Sequence, residues 1–185
     1  MNTNLYRMLV LLCCLLAARI TVAEGIEITS VTSRLSAETY LLDAKLQFNF
    51  NPEALDALEH GVAIIIDVII VIERERNWLW DPKVKEETLS FRLEQHPLSN
   101  RFLVTDMQSD NKRQFPTLEE ALEFLGTIEG HFLINQTVLS EDKRYIGMIK
   151  AEVNTETLPP VIRSEAAVSK KWQLDSPWHE WTIKE

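Results

Sequence analysis

The four histidines are the side chains here best suited to proton transfer or metal ligation, and their spacing suits neither. His60, His96, His131 and His179 are far apart in the chain. No two fall four residues apart on a helix, and none joins a cysteine in a compact zinc motif. His60 reads as a helix-end residue and His96 as part of a turn, so no metal is expected. Nucleophilic catalysis has no better basis, because there is no Gly-x-Ser-x-Gly elbow. The five glycines are scattered singly and make no phosphate-cradling loop. The carboxylate pairs Glu86-Glu87, Glu119-Glu120 and Glu141-Asp142 fall in a wet strand end, a helix start and a polar turn. There they serve as solvated faces or complement a helix dipole. Asp67 interrupts an apolar run, where an acid either faces water or is buried with a partner; the water-facing reading is preferred. No catalytic residue and no cofactor is expected.

A second kind of chemistry is recognition by arginine and tryptophan. If the apolar strand before it continues, Arg74, Arg76, Trp78 and Trp80 project to one side, with Glu73 and Glu75 on the other. Such side chains can stack as cation–π pairs and are common interface anchors. Near the C-terminus Trp172, Trp178 and Trp181 repeat the aromatic theme. Each set can either cover an open end of the fold or present a binding surface. The binding candidates are Arg74, Arg76, Trp78, Trp80, Trp178 and Trp181.

The elements that must position these residues are mostly strands. Residues 42 to 50 alternate strictly, with Leu42, Ala44, Leu46, Phe48 and Phe50 on one face, which predicts a half-buried strand. Asn51-Pro52 opens a short helix that Gly61 closes. Val62–Ile72 is rich in β-branched residues and far too short to span a bilayer as a helix, so it predicts a central strand. Further strands are expected over Ile26–Leu35, Thr88–Gln95 and Arg101–Met107. Phe132–Leu139 and Tyr145–Val153 read as a hairpin around Ser140–Lys143. Thr117-Leu118-Glu119-Glu120 is a capping-box pattern that starts a second helix, ending near Gly126. Seven strands with two short helices predict a mainly β chain, an antiparallel β-sandwich of immunoglobulin-like type. Thr155–Lys171 reads as linker, after which Trp172–Ile183 must pack back or bind something.

The N-terminus gives an address. A short charged start at Met1–Arg7, an apolar run over Met8–Ala18 and the small-residue site Thr21-Val22-Ala23 have the layout of a cleaved secretory signal. Arg19 interrupts the run, which makes an uncleaved anchor the weaker alternative. Bulky Val10 and Leu11 before the cysteines exclude a lipoprotein signal. Residues 1–23 are thus expected to be removed, leaving a single domain over 24–185 with no transmembrane segment. Cys13 and Cys14 lie inside the signal, so the mature chain forms no disulfide, which favours a bacterial periplasm. Of 19 basic residues, Arg7 and Arg19 fall in the signal, leaving 17 against 28 acidic and a net charge of −11. That sign argues against nucleic acid and anionic lipid as partners.

The Gly61-Val62 lead-in to the apolar strand, the Arg74–Trp80 stretch, Leu158-Pro159 and the closing Trp172-x-Leu174, Ser176-x-Trp178-x-x-Trp181 together resemble a bacterial family, domain-of-unknown-function family 4390. Asn77-Trp78-Leu79-Trp80 is less tryptophan-rich than the family pattern. The resemblance spans the mature chain and rests on structural residues. It implies an exported protein with no assigned activity, near envelope signalling through a membrane sensor kinase. The expected function is a non-enzymatic periplasmic interaction or accessory module whose partner is an envelope or inner-membrane protein. The alternative is a periplasmic small-ligand-binding β-sandwich.

Overall fold

The computed structural model describes residues 24–75, 83–140, 142–166 and 169–183. Among them lie nine strands: β1 (Gly25–Ser36), β2 (Thr39–Asn49), β3 (Ile64–Arg74), β4 (Lys83–His96), β5 (Arg101–Asp106), β6 (Lys112–Phe115), β7 (Thr127–Asn135), β8 (Tyr145–Val153) and β9 (His179–Thr182). The two expected helices are α1 (Pro52–Glu59) and α2 (Leu118–Leu125), and a third, α3 (Pro160–Ala166), falls in the segment read as linker. The chain is mainly β. A three-stranded antiparallel sheet, β1-β2-β7, accompanies a six-stranded antiparallel sheet, β6-β5-β4-β3-β8-β9. A constant-type immunoglobulin domain divides its strands four and three; the three and six found here do not establish that subtype.

The period-two patterning places the core. Tyr40, Leu42, Ala44, Leu46 and Phe48 of β2 and Ile64, Ile66, Val68, Ile70 and Ile72 of β3 are buried in one cluster. These two sets are the facing sides of the two sheets, as aligned sheet packing requires. Asn51 starts α1 by accepting a hydrogen bond from the Ala54 amide at 2.9 Å, and Thr117 caps α2 through the Glu120 amide at 3.2 Å. No helix among the described residues is long and apolar enough to cross a membrane.

Two local expectations are overturned. The strand after α2 is Thr127–Asn135 rather than Phe132–Leu139, and it pairs with β2 instead of forming a hairpin with β8. It has two bulges: the register shifts between Tyr40 and Leu41 and again between Leu42 and Ala44. Gly130 takes the second with φ +62°, a left-handed conformation open to glycine. Its amide is held by Asp43 Oδ1 at 2.7 Å. Lys112–Phe115, to which the sequence pattern assigns no element, is a short edge strand on β5.

Candidate functional site

Two clefts open at opposite ends of the strands. The first lies where β2 begins and β9 ends, lined by Tyr40, Tyr145, Leu139 and Ile183 with Lys143 and Arg144 at the rim, and its volume is about 440 Å³. Both tyrosines are buried. The Tyr145 hydroxyl accepts a hydrogen bond from the Ser140 amide at 3.0 Å. Arg144 Nε lies 3.3 Å from Glu75 Oε2 and Lys143 Nζ 2.9 Å from Asp142 Oδ2, so both cations already have carboxylate partners. The Lys143 hydrogen bond and charge, with Arg74 adding to them, lower the Asp142 carboxyl below its usual range. Arg74 is the last residue of β3 and lies across from Tyr145 in register, so it belongs to this end.

The second cleft, about 470 Å³, lies where β1 begins and β2 ends. Its walls are Glu24, Gly25, Ile26, Glu27 and Ile28 on one side and Asp175, Pro177, Trp178 and His179 on the other. Trp178 is 46% exposed, whereas Trp172 and Trp181 are 4% and 9% exposed. Asp175 Oδ2 is 3.2 Å from Lys150 Nζ, which also holds Glu152 at 2.7 Å. Those two carboxylates, Glu152 foremost, raise the Lys150 ammonium above its ordinary value. Glu24 and Glu27 have no ion-pair partner among the described residues.

The expected binding residues that are described, Arg74, Trp178 and Trp181, do not gather in one patch. Arg76, Trp78 and Trp80 lie outside the described residues. Arg74 and Trp178 belong to opposite ends, because Arg74 pairs with Tyr145 while β9, which follows Trp178, starts opposite Ile149. Four residues of strand separate those positions, about 14 Å. Trp181 is buried in the core, 9% exposed. Its ring lies over Gly147, where a β-carbon would collide with it, and its Nε1 donates to Ser33 Oγ on β1 at 3.2 Å. Among the described tryptophans expected to bind, Trp178 is the one that lines a cleft.

A charged group missed in the sequence crosses between the sheets at the other edge. The parity of β4 puts Lys85 and Glu87 on the same face as Leu89 and Leu93, opposite Ile72 and Ile70. Lys85 Nζ is 2.6 Å from Glu87 Oε2, and His131 Nε2 on β7 is 3.3 Å from the same oxygen. Lys85 also donates to the carbonyls of Leu133 at 2.7 Å and Phe132 at 3.3 Å, beside the first bulge. Asp67 lies on the outer face of β3, half-buried, and accepts from Ser90 Oγ at 2.6 Å and Asn154 Nδ2 at 2.8 Å. Among the described residues no group of three or more histidine, cysteine or acidic side chains converges as metal ligands would.

Searches of curated proteins and of solved structures find no match to this chain. The sequence pattern of one family, described as a domain of unknown function (DUF4390), matches residues 23–182. The match runs from just before β1 to the end of β9, taking in both sheets and both clefts, and the chain belongs to that family.

Proposed function

We propose that the chain is an exported, non-enzymatic accessory module of the bacterial envelope that docks a protein partner at the end of the fold bearing Trp178. The observation that carries this reading is the exposure of Trp178, 46% where Trp172 and Trp181 of the same segment are 4% and 9% exposed. A large aromatic left half in water beside a cleft is an anchor typical of interfaces. The N-terminal layout supports export to the periplasm, and the family resemblance supports a partner in the inner membrane, such as a sensor kinase.

The test is photo-crosslinking in the native host from position 178, with position 98 as the control because Leu98 is 94% exposed in the turn after β4. A discrete adduct with one envelope protein from 178 and none from 98 is the expected result. No adduct, or the same adducts from both positions, counts against the reading. A second reading, a small-ligand-binding module, is favoured by the 440 Å³ cleft of tyrosines and basic side chains. On that reading crosslinking is empty, and small anions raise the melting temperature instead.

A further inference from the structure

Building on the docking role given to Trp178, we infer that the cleft beside it receives an extended, basic peptide segment, with a lysine or arginine side chain laid over the Trp178 ring. Three independent features converge there. The first is charge. The cleft is lined by the carboxylates of Glu24, Glu27 and Asp175, and no lysine or arginine among the described residues lines it. Asp175 is partly neutralised by Lys150, but Glu24 and Glu27 have no cationic partner among the described residues. Two unpaired carboxylates at one rim attract a cation and repel an acidic partner.

The second feature is the aromatic face. Trp178 is half in solvent at the opposite wall of the same cleft. A cation placed between that ring and the Glu27 side gains both a cation–π contact and an ion pair. The third is the backbone. β1 ends the order of its sheet, so its outer edge hydrogen-bonds to no other strand among the described residues. An extended chain lying along the first residues of β1 would find main-chain donors and acceptors beside the carboxylates, which is how sheet edges recognise peptides. The cleft is open and about 470 Å³, room for one long side chain with its neighbouring backbone rather than for a folded domain. A neutral glycan could also stack on a tryptophan, but it would leave the unpaired carboxylates of the rim unanswered.

The experiment titrates the purified full chain against a fluorescein-labelled Lys-Thr-Lys-Thr-Lys-Thr peptide by fluorescence anisotropy. The matching glutamate peptide and chitotetraose serve as comparators. The lysine peptide is expected to bind and the glutamate peptide not to. Trp178→Ala and Glu27→Gln should each weaken binding by about three- to thirtyfold, from the loss of a cation–π contact or an ion pair. Glu119→Gln, an exposed acid on α2 at the far edge, should leave affinity unchanged and so excludes general attraction to an acidic protein. Melting curves of all three variants are expected to match the parent. Equal affinity of Trp178→Ala, an equal loss in Glu119→Gln, or binding of chitotetraose alone would overturn the assignment. Crosslinking from position 178 to a partner whose contacting segment is acidic or neutral would overturn it too, while leaving the docking role itself in place.

Discussion

At the scale of single residues, the contact among Lys85, Glu87 and His131 has the clearest energetic consequence. Burial by itself would raise the Glu87 carboxyl, but the hydrogen bonds and charges of Lys85 and His131 outweigh it and hold the group below its ordinary value. A carboxyl lowered on folding adds stability above its unfolded pKa, and that stability is lost as pH falls through the folded one. Glu87→Gln should therefore cost about 1–3 kcal/mol at neutral pH, since the lysine loses a half-buried partner. The parent and the variant should converge in stability as the pH drops below the carboxylate range. Urea midpoints from neutral to acid pH check both statements. Glu86→Gln is the contrast, because its 2.8 Å pair with Lys83 is about half exposed and screened by water, so this variant should leave the urea midpoint nearly unchanged. This group was legible in principle. Lys85 and Glu87 share the parity of Leu89 and Leu93, so an alternating strand places them on the inner face. Glu87 was read as half of an adjacent acidic pair, and adjacency along a strand hides that the two members face opposite ways.

At the scale of elements, patterning worked where one face is buried and failed where a bulge shifts the phase. β2 alternates without a break and its inward residues are those expected, while β3 buries its even positions and Val71 besides. In β7 the extra residues around Gly130 and Leu133 break the period, so that Leu133 and Ile134 are both buried although they are adjacent. No two-residue rule locates such a strand, and pairing with β2 is a contact distant in sequence. The helix caps, by contrast, depend only on local chemistry and were legible. Asn51 does more than cap: it is 3% exposed, it accepts from the Ala54 amide, and its side-chain amide also donates to the Lys171 carbonyl. It thereby ties α1 to the chain just before Trp172. Asn51→Ala should cost more than an isolated cap, about 2–3 kcal/mol, because the part-buried bond to the Lys171 carbonyl is lost as well. Thr117→Ala, which removes the cap of α2 alone, should cost about 1 kcal/mol. Chemical denaturation of the two variants side by side measures the difference.

At the scale of the whole molecule, the C-terminal segment works as a closing strap, and the binding role given to Trp178 depends on it. Leu174 and Ser176 bond to the backbone of β8: the Val153 amide donates to the Leu174 carbonyl at 2.9 Å, and Ser176 exchanges bonds with Ala151 at 2.8 and 2.9 Å. β9 then covers the edge of β8, and Trp181 reaches across to Ser33 on the other sheet. Trp172, Leu174 and Trp181 are buried in the common core, and Trp178 is the large side chain of the strap that is left out. The sequence shows the density of tryptophan but not this division of labour, because the exposure of each ring depends on which sheet edge the strap meets. A chain ending at Lys171 loses three large buried side chains and uncovers a strand edge, a combination that favours association. Such truncation should abolish cooperative unfolding and produce aggregates on size exclusion. Trp178→Ala, in the same segment, should change stability by no more than about 0.5 kcal/mol. A cooperative, monodisperse truncated chain would show that the two sheets hold together without the strap. A large loss of stability in Trp178→Ala would make that ring a core residue, and the open cleft beside it would no longer be a surface free to receive a partner.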